Sequence, residues 1–227
     1  MSKPDIFGAR MGEWMLRTGL FVLSATIAAL AAGSADAKLP VGDASQCELH
    51  IWPTETFSGI PYKVGIITGR ASEDQIVGSM ESLVGPSAQL AALRDADPVR
   101  ALGLPAGTRV VEHQEVLDRK TVTKMPTRRA SSTSPCYSEL IVLQHFLVED
   151  IVWGDRFGSA FMFRNFGDKP EVRGSIKGVG GYKLKVLTMP EAARPANTTE
   201  LVAAALKGNF LEFAKNVHSQ LTAGSAR

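Results

Sequence analysis

Tyr137-Ser-Glu-Leu-Ile-Val-Leu-Gln-His-Phe-Leu-Val-Glu-Asp-Ile-Val-Trp153, then Gly154-Asp155, then Arg156-Phe-Gly-Ser-Ala-Phe-Met-Phe-Arg-Asn-Phe166 is the stretch that decides the fold. Leu, Ile, Val and Phe dominate both arms, and Gly-Asp between two such runs reads as a turn, so a long antiparallel hairpin is expected. Near the centre of the first arm Ile141, Leu143 and Leu147 fall on one face and Leu140, Val142, Phe146 and Val148 on the other. A strand apolar on both faces is covered on both, which makes this arm central.

Toward the N-terminus, Cys47-Glu-Leu-His-Ile-Trp52 alternates up to Pro53 and reads as a short strand, with Glu48 and His50 on one face and Cys47, Leu49 and Ile51 on the other. Tyr62 to Thr68 is a second extended candidate. Ser72 with Gln75 is a capping-box start for an amphipathic helix carrying Ile76, Val77, Met80, Leu83 and Val84, stopped by Gly85-Pro86. Ser87 to Arg94 and Asp97-Pro98 to Leu102 read as short helices, the second with Asp as cap and Pro at the first helical position. Thr108 to Leu117 returns to a β-like pattern.

Beyond the hairpin, Val172 to Lys177 and Tyr182 to Met189 are expected as two strands, with Gly178-Val-Gly-Gly181 as a tight turn between them. Asn197 and Glu200 stand in capping-box positions before a closing helix to about Leu221, with Leu201, Val202, Ala205, Phe213 and Val217 on its buried face. The expected class is α+β: a mainly antiparallel sheet with a long hairpin, packed by an early amphipathic helix and a C-terminal helix.

The first residues bear on compartment. An uncharged apolar run, Leu20 to Ala32, follows Lys3, Arg10 and Arg17 and precedes Ala35-Asp-Ala37. This is the pattern of a cleaved signal peptide over 1–37, leaving 38–227 as one exported domain, and the alternative is a retained anchor over Thr18 to Ala35. Without paired arginines the general secretion path is expected, and the Ala-rich leader points to a bacterial periplasm. Membrane contact follows only if the leader is retained. Cys47 and Cys136 are the only cysteines. In an oxidising compartment they are expected to form one disulfide, closing a loop of roughly ninety residues and contributing on the order of 4 to 5 kcal/mol by chain entropy.

Chemistry is sparse. A formal net charge of +2 names no bulk electrostatic partner. There is no nucleophile elbow, no zinc-protease helix motif, no P-loop and no dinucleotide fingerprint, so no cofactor is expected. His113 and Glu115 share a strand face at a spacing suited to proton transfer or metal binding, and with His50 they are the catalytic candidates; a solvated face is the plainer reading, and no metal site is expected. His145, Trp52 and Trp153 read as structural, as do Phe157, Phe161, Phe163 and Phe166. Arg119, Lys120, Lys124, Arg128 and Arg129 form an acid-free run, read as a loop or hairpin tip, that would suit an anionic envelope component or an acidic envelope protein. Nucleic acid is not expected, because aromatics are not interleaved with these charges.

The segments Cys47 to Pro53 and Pro135 to Ile141 resemble those of uncharacterised exported bacterial proteins. The order of elements is similar to that of small α/β envelope-assembly domains of the curli-secretion and Tol N-terminal type. That likeness is one of topology and carries over no functional residue. It implies a non-catalytic periplasmic interaction or assembly protein; the alternative is an exported hydrolase or metal-dependent enzyme.

Overall fold

The computed structural model describes residues 46–60, 73–148 and 155–224. The leader, the Tyr62 to Thr68 segment, Ser72, and Trp153 with Gly154 lie outside them. Among the described residues no helix is long and apolar enough to cross a membrane.

In chain order the elements are β1 (Cys47–Trp52), β2 (Phe57–Ile60), α1 (Glu73–Leu83), α2 (Pro86–Asp95), α3 (Pro98–Ala101), β3 (Arg109–Glu112), α4 (Arg119–Lys124), β4 (Cys136–Val148), β5 (Arg156–Gly167), β6 (Gly174–Lys183) and α5 (Thr198–Gly224). The sheet order is β3-β1-β4-β5-β6, with β2 also on β4. The class is α+β as expected, but the sheet is mixed. β4, β5 and β6 are antiparallel, whereas β1 runs parallel to both β3 and β4, and β2 runs parallel to β4. Parallel pairing requires a crossover, which the helical segment α1–α3 supplies between β1 and β3.

β1 and β2 form one interrupted line of parallel pairing along β4. Proline at 53 has no N–H to give, so pairing stops after Trp52↔Ile141 and resumes at Phe57↔His145. The freed backbone of Thr54 is taken over by the buried Gln89 amide of α2, which accepts from the Thr54 N–H at 3.0 Å and donates to its carbonyl at 2.7 Å. Beside this break the β4–β5 register shifts between Val142 and Gln144. Leu143 is the extra residue, and its carbonyl accepts from the Thr54 hydroxyl at 3.3 Å.

The bulge overturns strict alternation. Beyond it, Phe146 pairs with Gly158 and packs partly with the Ile141 and Leu143 cluster, while Leu147 joins the opposite side with Phe157. β4 is central and buried along most of its length, as expected. On one face Leu140, Val142, Phe161 and Phe163 pack with Leu90, Leu93 and the α5 residues Phe210, Phe213 and Val217. On the other, Val122 of α4 closes over Trp52, Ile141, Leu143, Ala160 and Met162. Arg119–Lys124 is therefore a short helix and not a loop, started by the Asp118 carboxylate accepting from the Thr121 N–H at 2.8 Å and anchored by buried Val122.

The glycine run is corrected too. Gly178 to Gly181 lies inside the continuous strand β6, paired residue by residue with β5. A Cβ on Gly180 would overlap the backbone carbonyl of Asn209, and one on Gly178 would meet the Phe213 ring at 2.9 Å. These glycines let α5 lie directly on the strand. The expected strand over Tyr182 to Met189 ends at Lys183, and the one over Thr108 to Leu117 is reduced to Arg109–Glu112.

The Cys47–Cys136 disulfide is present and joins residues directly opposed in the β1–β4 ladder, 4.7 Å apart at Cα. Reducing it is expected to lower the unfolding free energy by about 4 kcal/mol in urea titration. Gly180→Ala is expected to destabilise by about 3 kcal/mol through overpacking. Gly174→Ala, where a side chain meets nothing within 4 Å, is the control and should stay within about 0.5 kcal/mol of the native protein.

Candidate functional site

The β1–β3 and β1–β4 registers gather the sequence candidates. Glu48, His50 and Trp52 alternate onto one face of β1, with Tyr137 and Glu139 on the same face of β4 and Arg109 on β3. β3 ends at Glu112, but the His113 N–H still donates to the Ile51 carbonyl at 2.9 Å, so the chain keeps alongside β1 and brings His113 and Glu115 over Trp52.

Trp52 is fully buried and central to this cluster. The His113 ring stacks on it at 4.1 Å with planes 3° apart, and its indole N–H donates to Glu115 at 3.0 Å. His113 and Glu115 thus meet through Trp52. His50 lies between Glu48 and His113, with Nε2 2.9 Å from the carboxylate and Nδ1 2.9 Å from His113 Nε2. Glu48 also accepts from the Ser132 hydroxyl at 2.6 Å and pairs with Arg109.

Proton positions follow from the donors. Burial would raise the Glu48 carboxyl, but hydrogen bonds from His50, Ser132 and Arg109, with the Arg109 charge, outweigh it and hold it at about 2. The ionised carboxylate takes the Nε2 proton of His50, so in the neutral ring Nδ1 accepts from His113 Nε2–H. Burial first, then the neighbouring His50, push His113 below its ordinary value.

Behind His50 the network is wholly internal. Tyr137, fully buried, lies 4.6 Å from the His50 ring and donates to Glu139 at 2.9 Å. Burial and the Glu139 charge push its hydroxyl upward. Glu139 also accepts from the Arg129 backbone N–H at 2.8 Å and is ion-paired with buried Arg164 at 3.4 Å.

The basic run divides. Arg128 donates to the carbonyls of Gly167, Lys169 and Ser132 and lies over the Tyr137 ring at 4.9 Å, so its guanidinium ties segments of the chain together. Arg129 turns inward toward the Met125 sulfur. Arg119, Lys120 and Lys124 are exposed on α4, with Arg119 bonded to Gln144.

Their surroundings add cations that the sequence reading missed. Arg156 of β5 and Lys177 and Lys183 of β6 are exposed and fall on the α4 side of the sheet by the β5–β6 register. None of these six cations makes an ion pair among the described residues. Val148 and Val179, 38% and 56% exposed, lie on the same face. Period-two alternation in β6, with glycines opposite the lysines, was the available signal.

A second polar line, also missed, runs through the opposite face. Asn209 of α5 donates to Ser159 at 3.0 Å, and Ser159 lies 2.8 Å from His145 Nδ1. Asn209, set between the apolar positions Leu206 and Phe210 of α5, was the clue. Among the described residues no three His, Cys, Asp or Glu side chains converge as a metal-binding group.

No protein-family model matches the chain, and no curated protein matches it. Among solved structures it is similar to the hypothetical protein CT253 from Chlamydia trachomatis, at 8% identity and a TM-score of 0.36, over 77% of this chain and 95% of that one. A likeness that distant transfers neither fold nor function.

Acid stability tests the buried network. The folded Glu48 value lies below its ordinary 4.5, so its contribution, on the order of 3 kcal/mol, is complete above pH 4.5 and lost as pH falls toward 2. His113 and His145 are also depressed, His145 to about 3 by burial, so each disfavours the folded state increasingly below about pH 6.5. Unfolding free energy should therefore fall steadily from pH 7 to 3, and Glu48→Gln should flatten the part below pH 4.5; an unchanged profile would contradict these assignments.

Proposed function

We propose that this chain is an exported, non-catalytic interaction protein of the bacterial periplasm, which binds an acidic envelope partner through the α4 side of its sheet. The observation that carries this reading is the set of Arg119, Lys120, Lys124, Arg156, Lys177 and Lys183, none of them ion-paired among the described residues and interspersed with exposed Val148 and Val179. Unpaired cations around a few apolar contacts complement an acidic, partly apolar segment and steer its approach. The sequence pattern of 1–37 supports export. The disulfide is compatible with an oxidising compartment.

A second reading, an exported hydrolase or metal-dependent enzyme, is favoured by one observation, the carboxylate–His–His line from Glu48 through His50 to half-buried His113. In that line His50 has both ring nitrogens engaged, and Glu48 holds three partners. Such saturation supports a role in fixing β1 against β3 and β4.

A photo-reactive residue at Val179 of the exported full chain is expected to give one discrete cross-linked partner in intact envelopes, with an acidic segment at the linked position. Lys177→Glu with Lys183→Glu should cut that yield at least tenfold without changing the melting temperature, since both side chains are exposed. Equal cross-linking by the charge-reversed protein would remove this surface from the reading. Partner loss in His113→Ala with the surface intact would move the search to the histidine line.

A further inference from the structure

On the face of the sheet away from α4 there is a cavity of about 430 Å³ between the β1–β2 break, β4 and the end of α1. That is a volume typical of small-molecule sites. Its walls are built and not incidental. Gln89, almost wholly buried, ties the Thr54 backbone at the break to the Val84 carbonyl at the end of α1, donating to the latter at 2.7 Å.

His145 lines this cavity and is 3% exposed. Its Nε2 has no hydrogen-bond partner among the described residues. The neighbouring bonds fix which nitrogen holds the proton. Asn209 Nδ2 lies 3.3 Å from the Phe157 carbonyl, an obligate acceptor, which sets the amide orientation and makes Nδ2 the donor to Ser159 as well. With its oxygen accepting from Asn209, the Ser159 hydroxyl has its proton free to donate to His145 Nδ1 at 2.8 Å. The reverse arrangement would leave a fully buried hydroxyl proton with no acceptor. His145 therefore carries its proton on Nε2, and burial keeps the ring neutral.

The wall of the cavity thus holds one uncharged N–H donor, buried with its ring and without a partner among the described residues. Phe57, Met80 and Val84 supply apolar wall, and the exposed carboxylates of Glu55 and Glu81 stand among the lining residues. A neutral donor gives a carboxylate ligand no charge to pair with, and the two glutamates repel it. An ammonium group is favoured by the same two glutamates.

We propose that this cavity binds a small amphipathic cation with a neutral carbonyl: the ammonium held by Glu55 and Glu81, the apolar body against Phe57, Met80 and Val84, and the carbonyl oxygen accepting the Nε2 proton of His145. Amides of apolar α-amino acids and the amino-terminal residue of an apolar peptide share this chemistry. The site is on the opposite side of the sheet from the basic surface, so either assignment stands or falls without the other.

The test uses the oxidised exported protein, with leucinamide, its N-acetyl derivative and an amidated Leu-Phe dipeptide as probes in titration calorimetry. Saturable binding of the two cationic probes is expected, at least fivefold weaker after N-acetylation and in Glu55→Gln with Glu81→Gln, both surface positions. Tighter binding of the dipeptide than of leucinamide points to a peptide terminus, and the reverse order to a free amino-acid amide. Imidazole ¹⁵N–¹H correlation should show His145 protonated at Nε2 and that resonance moving on binding. No saturable binding, binding indifferent to both changes, or a His145 resonance that is Nδ1-protonated or unmoved would overturn the proposal.

Discussion

The parallel pairing of β1 with β4, closed at its first residue pair by Cys47–Cys136, is the constraint on which the rest of the structure depends. A one-residue slip in this register would turn Glu48, His50 and Trp52 to the opposite face and send Leu49 and Ile51 out of the core. With the register held, β3 adds to the outer side of β1 and brings Arg109 and His113 onto the same polar cluster. The disulfide constrains an unfolded loop spanning 89 residues and fixes which residues oppose each other in the ladder.

The interruption at Pro53 is the second consequence of that pairing. A ladder that stops and restarts leaves backbone groups to satisfy, and the Gln89 amide with the Leu143 bulge satisfies those of Thr54. The strand cannot close ranks at that point, and the space beside it becomes the cavity at His145. On the same face α5 lies close enough to β6 for Asn209 to reach Ser159, an approach that glycine at 178 and 180 alone permits.

Charge is distributed in two ways. Inside, Glu48, Glu139, Arg128 and Arg164 are consumed by partners within the chain, which makes them fasteners of the fold. Outside, the α4 side of the sheet carries cations without acids to match among the described residues. A formal net charge of +2 conceals this, because the acids are used up elsewhere, as Glu112 is by Arg94 and Asp168 by Arg173.

Local pattern sufficed for what local physics decides. The apolar hairpin arms, the Gly85-Pro86 stop, the Asp97 cap and the long closing helix are determined by hydrophobic period and capping chemistry, and each is found where those place it. The disulfide was expected from two cysteines behind a leader-like sequence pattern, and it is present. What the sequence left undetermined depends on neighbours distant along the chain. Whether β1 ran parallel or antiparallel, whether Gly178 to Gly181 turned or passed straight beneath a helix, and whether Arg128 met solvent or three carbonyls all depended on what packed against them. The Leu143 bulge is the clearest case: one unpaired residue reversed the facing of Phe146 and Leu147, and so turned His145 toward the cavity. A side-chain period of two holds only while every residue has a partner, and only the assembled sheet determines where one does not.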